Sequence, residues 1–592
     1  MKKTYLFFLL IIASVATITS CDPKGNGSDE QLGEVVSATY DPVSKTFTVK
    51  FSSGADKTFV ATIDDSVTPP TAGYALDDKT YLYAPDATVA SDATVCKGIN
   101  RVSQFVYDGM STYYYWADNM VNKKPKLTDA NPTNYFHRVL HSTDTKNGWS
   151  WITDDVKSLL AGYSGESLSF GYNLGFIILD EKVYAFIKYV YANSPAANAG
   201  LNRLDLIGKL NGRPIATEKR NGSTYVKSED VNLLYGNDAV TFTTYRFSED
   251  QLVQDKEVTV TPNNSSKDPI LLDTLYTIGN KKVGYLFYTD FYSNFNHHLY
   301  EVFYRFKQAG ATDLVLDLRY NTGGAVSSAI YLASLIAPRS VVENKSPFIV
   351  MDYNELLNRS FDKWYSEASA EDKDRYDRKY YLGTYNSENN ENPLGANLNL
   401  NKVYIIATGN SYSASELTLF CLKPYMEVVH VGSNTGGKYT ASWTIHAYDP
   451  QRDEHGSARA NTLYDEKKLS TTEKNTLKDW AMQPIVAMYA DKDSRNFSGT
   501  GHLVPNHALK EGFGYINYWK PLGDTKDVLL GQALYLITGD ESYKPIAPPT
   551  LDTRSTQFAK EVLTPREMAQ PVIIDDMRLT PDDFQKLREL QN

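Results

Sequence analysis

Three closely spaced serines and a later lysine could together carry nucleophilic catalysis. Ser411, Ser413 and Ser415 lie within "GNSYSASELTLF", and Lys438 ends the later stretch "NTGGK". A serine hydroxyl attacks a carbonyl only when a neighbouring base takes its proton, and a lysine is such a base only where desolvation lowers its pKa towards neutrality. Purely structural roles for these residues remain open: Ser413 to Glu416 fits a helix capping box, and Lys438 fits a charged residue on an exposed loop.

The histidines and cysteines indicate no other catalytic or metal chemistry. His430 lies inside the strand-like "EVVHVG", and a G-x-S-x-G elbow is absent, which argues against a hydrolase triad. His137 and His141 are four residues apart, but no H-E-x-x-H motif accompanies them, so we interpret them as packing residues. We expect no metal and no organic cofactor.

The elements around these residues predict an α/β core. From about Lys281, near-continuous apolar strands such as "TDLVLDL" and "NKVYIIA" alternate with amphipathic helices. This alternation is typical of a parallel sheet covered on both faces, in which every strand-to-helix loop leaves at the same edge. The loops Asn321–Gly324, Asn410–Ser413 and Ser433–Lys438 should therefore be neighbours in space.

The rest of the chain divides by changes in hydrophobic period. Alternating residues predict a small β domain, a 3.6-residue period predicts a helical connector, and a charged helix followed by an Asn-rich loop interrupts the core as either a lid or a solvated insertion. The expected organisation is an N-terminal leader at 1–20, a polar tether at 21–33, a small β domain at 34–90, a helical connector at 95–160, a further domain at 161–262, the α/β core at 270–545 with an insertion at 352–400, and a C-terminal tail at 546–592.

The segment 161–262 resembles a PDZ domain. The stretch "SPAANAGLNRLDLIGKLNG" fits the pattern A-x-x-A-G-L…D-x-I-x-x-L-N-G. Such a domain binds a peptide's C-terminus as an added strand. By this resemblance the groove would be lined by Phe170, Gly171, Leu174, Gly175 and Phe176. A spacer of the same shape with a closed groove is the alternative.

The motifs "LVLDLRYNTGG", "SYSASE" and "NTGGK" together resemble the C-terminal processing (tail-specific) peptidases, which pair a PDZ domain with a crotonase-like catalytic core. The resemblance covers roughly residues 95–540. It implies Ser413 as nucleophile and Lys438 as general base. It also implies an oxyanion site made from the backbone N–H groups of Gly323 or Gly324 and of Ala414.

Two positions depart from the family's pattern. Thr322 replaces the proline of N-P-G-G, and Ser442 stands where the family has a glutamine that orients the lysine. Ser442 is the candidate to take over that orienting role.

The N-terminus predicts export and a membrane tether. Two lysines, an apolar stretch and small residues form a secretory signal, and "ITSC" resembles the lipobox of bacterial lipoproteins, with Cys21 as the lipidated residue. A simple cleaved signal is the alternative. We therefore expect a lipid-anchored protein of the bacterial cell envelope, with the outer membrane favoured.

The composition excludes one class of partner. A net charge of −11 offers nothing to offset phosphate repulsion, so no nucleic-acid partner is expected. The main hypothesis is a serine endopeptidase that recognises the free C-terminus of a protein or peptide substrate. The alternatives are a peptide-binding lipoprotein with a weak or inactive core and, less favoured, a crotonase-like acyl-transfer enzyme.

Overall fold

The computed structural model describes residues 33–179, 181–220, 223–248, 251–386, 389–450, 461–511, 519–545, 560–561, 573–574 and 579–591. The predicted signal peptide and Cys21 lie outside the described residues. Within these ranges, no helix combines the length and the apolar character needed to span a bilayer. The chain forms two compact units, which divide between Gly98 and Ile99.

The first unit is a small β domain, as the alternating sequence predicts. Phe47, Val49 and Phe51 point inward from one strand, while the intervening residues face solvent. Two four-stranded sheets enclose this small core. The strands are β1 Val35–Asp41, β2 Thr46–Phe51, β3 Asp56–Val60, β4 Thr62–Asp64, β5 Thr71–Ala75, β6 Thr80–Ala84, β7 Ser91–Asp92 and β8 Thr94–Lys97.

The second unit begins with a helical segment that belongs to the main hydrophobic core. Its apolar positions recur at helical spacing, and Phe105, Met110 and Phe136 are buried in the same cluster as the core helices. Asn100 and Asn131 cap the first two helices with their side chains. The elements are α1 Arg101–Tyr113, α2 Pro132–Val139, α3 Ser142–Asn147, β9 Trp151–Thr153 and α4 Val156–Tyr163.

Residues 166–260 form most of an antiparallel sheet domain with its own core, centred on residues such as Leu174, Ile187 and Phe242. We call this the 166–260 domain. Its elements, with the strand that follows, are β10 Glu166–Ser169, β11 Tyr172–Leu179, β12 Lys182–Val190, α5 Pro195–Asn198, β13 Leu206–Leu210, β14 Arg213–Pro214, β15 Thr217–Arg220, β16 Ser223–Val226, α6 Ser228–Tyr235, β17 Val240–Ser248, β18 Gln251–Val260 and β19 Asn263–Ser266.

The remaining elements build the core and the C-terminal segment. They are β20 Ile270–Ile278, β21 Lys281–Tyr288, α7 Asn296–Gln308, β22 Asp313–Asp317, β23 Gly324–Ala325, α8 Val326–Ile336, α9 Arg339–Glu343, β24 Pro347–Tyr353, α10 Glu355–Glu367, α11 Lys373–Tyr376, β25 Lys379–Tyr381, β26 Lys402–Ala407, α12 Ala414–Leu422, β27 Glu427–Gly432, β28 Thr440–Ser442, β29 Ile445–His446, α13 Thr471–Leu477, β30 Ala481–Gln483, β31 Ile485–Ala490, β32 His507–Ala508, α14 Val528–Thr538, β33 Lys560–Glu561, β34 Ile573–Ile574 and α15 Pro581–Gln591.

The central sheet confirms the predicted α/β core. Its order is β20-β21-β22-β26-β27-β32, and every pair after β20-β21 is parallel. Leu286 and Leu316 face the cluster that holds α7, α8 and α12, while Tyr285 and Val315 face the cluster that holds α14. Burial on both faces explains why the strands are almost continuously apolar.

A second sheet lies beside the loop edge of the first. Its order is β23-β34-β28-β31-β24-β25, so it includes the strand after Lys438 and two residues of the C-terminal segment. The predicted insertion supplies the edge strand β25 and the helix α10, which is packed on the core through Leu357 and Phe361. A small third sheet, β29-β30-β9, ties the helical segment to this region.

Candidate active site

Three loops meet at the C-terminal edge of the parallel sheet, as the alternating pattern predicts. The N–H of Tyr412 donates to the carbonyl of Asn321 at 3.0 Å, and the N–H of Gly436 donates to the carbonyl of Ser411 at 2.9 Å. The Ser415 hydroxyl also donates to the Asn321 carbonyl, at 3.0 Å. The loops after β22, β26 and β27 are therefore fastened to one another by hydrogen bonds.

Ser413 has an unusual backbone at the start of α12. Its φ of 64° and ψ of −116° fit the first central position of a type II′ turn, and the N–H of Ser415 closes that turn on the Tyr412 carbonyl at 3.1 Å. A side chain at positive φ costs about 1–3 kcal/mol, and such strain collects at functional sites. The Ser413 Oγ is buried in the capping-box arrangement with Glu416 that the sequence suggested, but no described residue forms a side-chain cap hydrogen bond with it.

The buried carboxylate of Glu416 accepts hydrogen bonds from donors on two of the loops. One oxygen accepts the backbone N–H of Ser413 at 2.9 Å and that of Lys438 at 2.7 Å. The other accepts the N–H of Gly437 at 2.8 Å and the hydroxyl of Thr435 at 2.5 Å. The backbone nitrogens of Ser413 and Lys438 thus lie within two hydrogen-bond lengths of each other.

A tyrosine holds the same two residues from the other side. The Tyr489 hydroxyl, on β31, lies 3.1 Å from the Lys438 carbonyl and 3.4 Å from the Ser413 carbonyl. It donates to the closer of the two and contacts the other. Glu416 and Tyr489 together fix the backbone of Ser413 relative to that of Lys438.

Lys438 is fully inside the protein, with 1% of its surface exposed. Burial lowers the pKa of its amine to about 7, while the carboxylates of Asp144 and Glu416 act in the opposite direction. Burial likewise raises the pKa of Glu416 to about 7, against the hydrogen bonds from Thr435, Ser413, Lys438 and Gly437. Near neutral pH a substantial fraction of the lysine is therefore the uncharged amine that a general base requires.

Asp144 reaches this region from the helical segment. Its carboxylate is buried and accepts the Tyr114 hydroxyl at 2.8 Å, the Ser150 N–H at 2.9 Å and the Ser150 hydroxyl at 2.5 Å. The Ser150 hydroxyl in turn accepts the N–H of Ile485, on the strand that pairs with β28. This network holds the Asp144 carboxylate, which belongs to α3, in the surroundings of Lys438.

The three amides predicted for the oxyanion site have different surroundings. The N–H of Gly323 donates to the side chain of Asn321 at 2.8 Å, so that amide is already used. Gly324, at φ 143°, is packed so closely that a Cβ would lie 2.4 Å from the Phe291 carbonyl. Ala414 is the first residue of α12, where backbone N–H groups have no acceptor within the helix.

Ser442 is buried on β28, and no described residue forms a hydrogen bond with its hydroxyl. Thr440, on the same strand, is also buried, and no described residue forms a hydrogen bond with its hydroxyl. Nothing in these contacts ties Ser442 to the lysine amine. The position at which the family has a glutamine is therefore occupied here by a short polar side chain, on the strand after Lys438.

The five residues predicted to line a peptide groove lie on β11 and just before it. Phe170, Leu174 and Phe176 are buried in the core of the 166–260 domain, where the Phe170 and Phe242 rings lie 5.3 Å apart. At Gly171, φ is 80° and a Cβ would lie 2.1 Å from Ser194, while at Gly175 a Cβ would meet the ring of Phe186. These side chains build the domain, and the backbone of β11 pairs with β12 on one edge and with β33 on the other.

A buried ion cluster connects the 166–260 domain to the strand that precedes the Gly323–Gly324 loop. Arg319 is wholly buried and bonds to Asp317, Asp527 and Glu511, each at 2.7 Å. Glu511 also accepts Arg203 of the 166–260 domain at 2.7 Å. The Asp-Leu-Arg part of the sequence motif therefore has a structural role that spacing alone does not reveal.

Sequence reasoning missed four of these residues. Glu416 has a signal, the capping box, but not one that predicts bonds to a second loop. Asp144, Tyr489 and Glu511 stand in stretches without any motif, because their neighbours here are remote in sequence.

Two parts of the chain match known protein-family profiles. Residues 282–480 match Peptidase family S41, and residues 101–151 match the Peptidase S41 N-terminal domain. The first range contains Ser413, Glu416 and Lys438, and the second contains Asp144. No curated protein matches the sequence significantly.

One solved structure supports the fold, and a second is a more distant match. A protein described as an S41 protease from Bacteroides fragilis NCTC 9343 is 23% identical, with a TM-score of 0.54, over 74% of this chain and 97% of that one. The photosystem II D1 C-terminal processing protease is 14% identical, with a TM-score of 0.39, over 69% of this chain and 92% of that one. The first of these likenesses supports the fold alone.

Proposed function

Because this chain belongs to peptidase family S41 and is a serine peptidase by that membership, we propose that it is an endopeptidase with a Ser413–Lys438 dyad. The observation that carries the proposal is the Glu416 carboxylate, which binds the backbone of both residues through one oxygen. The buried Ser413 hydroxyl, which forms no hydrogen bond with the residues that the structure describes, and the lysine pKa of about 7 agree with it.

The chemistry follows from these roles. The uncharged Lys438 amine takes the proton of the Ser413 hydroxyl as the oxygen attacks the scissile carbonyl. The resulting ammonium returns that proton to the leaving nitrogen as the C–N bond breaks, which leaves an acyl-enzyme. Water then attacks the ester with Lys438 again as base, so the enzyme ends in its starting state.

The oxyanion of the tetrahedral intermediate would be held by the backbone N–H groups of Gly324 and Ala414. The position of Ala414 at a helix N-terminus favours negative charge, and Gly323 is less suited because its N–H already has an acceptor. Ser442 would orient the lysine amine in place of the family's glutamine. Its position four residues after Lys438 and its burial on β28 support that role, while its hydroxyl forms no hydrogen bond with any described residue.

We propose that the 166–260 domain is PDZ-like and precedes a crotonase-like core. It would bind the free C-terminus of a protein or peptide substrate on the edge of β11. That edge already pairs antiparallel with the backbone of Lys560–Glu561, which is the mode by which such domains add a peptide strand.

Peptide cleavage by matched variants tests the dyad. With wild type active near pH 8, Ser413→Ala and Lys438→Ala should each lose cleavage by a factor of about 10³ or more. Ser498→Ala, on an exposed loop, should retain wild-type rates and serves as the control. Persistent cleavage by folded Lys438→Ala would reassign the base, and inactivity of wild type on many peptides would favour a peptide-binding lipoprotein.

We also propose that the mature chain is anchored to the bacterial envelope by a lipid on Cys21. The lipobox-like "ITSC" after an apolar signal supports this. Mass spectrometry of the mature N-terminus should find diacylglycerol on Cys21. An unmodified residue at that cleavage site would exclude the anchor.

A further inference from the structure

Two residues of the C-terminal segment lie inside the second sheet, between strands β23 and β28. Ile573 pairs with Gly324 and Ile574 pairs with Ala325, in parallel. On its other side, Ile574 pairs in parallel with Ser442. β34 therefore separates β23 from β28.

Both of these neighbouring strands belong to the proposed site. Gly324 is a proposed oxyanion donor, and the loop before it accepts the N–H of Tyr412 and the hydroxyl of Ser415. β28 begins two residues after Lys438 and pairs on its far side with β31, which carries Tyr489. A strand in this slot runs between the loop that would hold the oxyanion and the strand that follows the base.

The same segment also holds the edge of the 166–260 domain. Glu561 pairs with Ile177 and Lys560 with Ile178, antiparallel, on the outer edge of β11. The backbone edge that the proposed function assigns to a peptide substrate is thus paired with the same C-terminal segment that pairs with β23 and β28.

A helix anchors the segment beside the slot. α15 buries Phe584, whose ring lies 5.6 Å from that of Trp443 and 5.4 Å from that of Tyr113. Trp443 directly follows Ser442, the slot residue. Asp583 accepts the Tyr376 hydroxyl at 2.9 Å and the N–H of Thr580 at 2.9 Å, which fixes the start of the helix.

Because α15 is packed beside the slot, Ile573–Ile574 binds there as part of the same chain and not as a free peptide. Four residues join Ile574 to Leu579, which is itself buried at the beginning of the anchored segment. A short tether of this kind gives an effective concentration in the millimolar range, against which a free peptide must compete.

We infer that the slot between Gly324–Ala325 and Thr440–Ser442 is a binding site for an extended peptide, and that Ile573–Ile574 fills it as an autoinhibitory strand. The inference rests on the proposed function for its consequence, since displacement of this strand would open the path to Ser413. The ligand class is a polypeptide in β conformation, recognised through its backbone.

Proline substitutions in the strand test the inference. The double variant Ile573→Pro/Ile574→Pro removes the backbone N–H groups that a ladder requires but leaves α15 in place. Ser555→Pro/Thr556→Pro places the same change in the same tail outside both strands and is the matched control. The probe is a fluorescent peptide of residues 570–577, QPVIIDDM, with QPVPPDDM as its control.

Binding is measured by anisotropy in a Ser413→Ala background, so that no cleavage interferes. Ile573→Pro/Ile574→Pro should bind QPVIIDDM at least about tenfold more tightly than wild type or the control variant, and should not bind QPVPPDDM. With Ser413 restored, its KM for a peptide substrate should fall by a similar factor. Thermal melts confirm that each variant is folded.

Equal affinity of QPVIIDDM for the three folded proteins would overturn the slot and the autoinhibition together. Tighter binding without cleavage by any variant would leave the slot standing and reject the proposed endopeptidase. Normal cleavage with an unchanged KM and unchanged peptide affinity would reject the autoinhibitory strand and leave the endopeptidase intact.

Discussion

At the scale of single residues, burial of the Lys438 amine has the largest free-energy cost in the proposed site. Its pKa falls from 10.5 to about 7 on folding, so the folded state resists protonation that the unfolded chain accepts. The cost is fully present well below pH 7 and disappears as pH rises through 10.5, above which the amine is neutral in both states. At pH 7 it amounts to about 4 kcal/mol.

Lys438→Met should therefore stabilise the protein while it abolishes catalysis. We expect a gain of about 2–4 kcal/mol in the free energy of unfolding at pH 6.5, which shrinks as pH approaches 10. Urea denaturation at both pH values measures the difference. A gain that is absent at pH 6.5, or equal at pH 10, would contradict a neutral, buried lysine.

Asp144 should tune the same amine. Its carboxylate favours the protonated lysine, so Asp144→Asn should lower the pKa of Lys438 and move the acid limb of the pH profile of kcat/KM to lower pH. Asn retains one acceptor oxygen for the hydroxyls of Ser150 and Tyr114, which share one carboxylate oxygen, while the Ser150 N–H loses its acceptor; a thermal melt checks that the variant is folded. Asp118→Asn, an exposed residue of the same helical segment, is the control and should leave the limb in place. A shift to higher pH would reverse the assigned role of Asp144.

The motifs point to Ser413 and Lys438 as candidates but do not reveal the groups that surround them. Spacing in the chain reports neighbours along one strand or loop, and Glu416 was visible in that way as a helix cap. Asp144 approaches Lys438 through tertiary packing of α3, which no local pattern encodes. The assigned roles of Ser413 and Lys438 themselves remain predictions.

At the scale of elements, Glu416 joins the start of α12 to the loop after β27. Gln can offer one acceptor oxygen where the carboxylate offers two, and its amide group would face two donors. Each unsatisfied buried donor costs about 1–3 kcal/mol.

Glu416→Gln should lower both stability and activity, because two donors lose their acceptor and the loops separate. A displacement of about 1 Å between nucleophile and base costs about 100-fold in rate. We expect a loss of that order in kcat, together with a lower Tm. Glu427→Gln, on an exposed position of β27, should change neither by much. Wild-type kcat in Glu416→Gln would show that the carboxylate does not position the dyad.

The element order was largely predictable from sequence, whereas the second sheet was not. Alternating apolar strands and amphipathic helices indicated the parallel sheet and its loop edge, and the hydrogen bonds among the three loops confirm that prediction. β23, β28 and β34 are two or three residues long and come from remote parts of the chain. Such short pairings leave no periodicity in the sequence to detect.

At the scale of the whole second unit, Glu511 connects the 166–260 domain with the core. Without it, Arg203 would keep a buried guanidinium but lose its carboxylate partner, while Arg319 would retain Asp317 and Asp527. Removal of one partner of a buried ion pair costs about 3–5 kcal/mol.

Glu511→Ala should destabilise the protein by about that amount in urea unfolding. Glu355→Ala breaks an exposed ion pair with Arg359 and should cost less than about 1 kcal/mol. Equal effects of the two changes would mean that the buried cluster contributes no more than a surface pair. Sequence alone placed Arg319 in a motif but could not supply Glu511 or Arg203 as its neighbours.

The central claim is that Ser413 is a nucleophile activated by Lys438, and covalent labelling tests it most directly. Treatment with diisopropyl fluorophosphate at pH 8, followed by peptide mass spectrometry, should find one phosphoryl adduct, on Ser413. Folded Lys438→Met should remain unlabelled under the same conditions. An adduct on another serine, or equal labelling of Ser413 in the two proteins, would contradict the account.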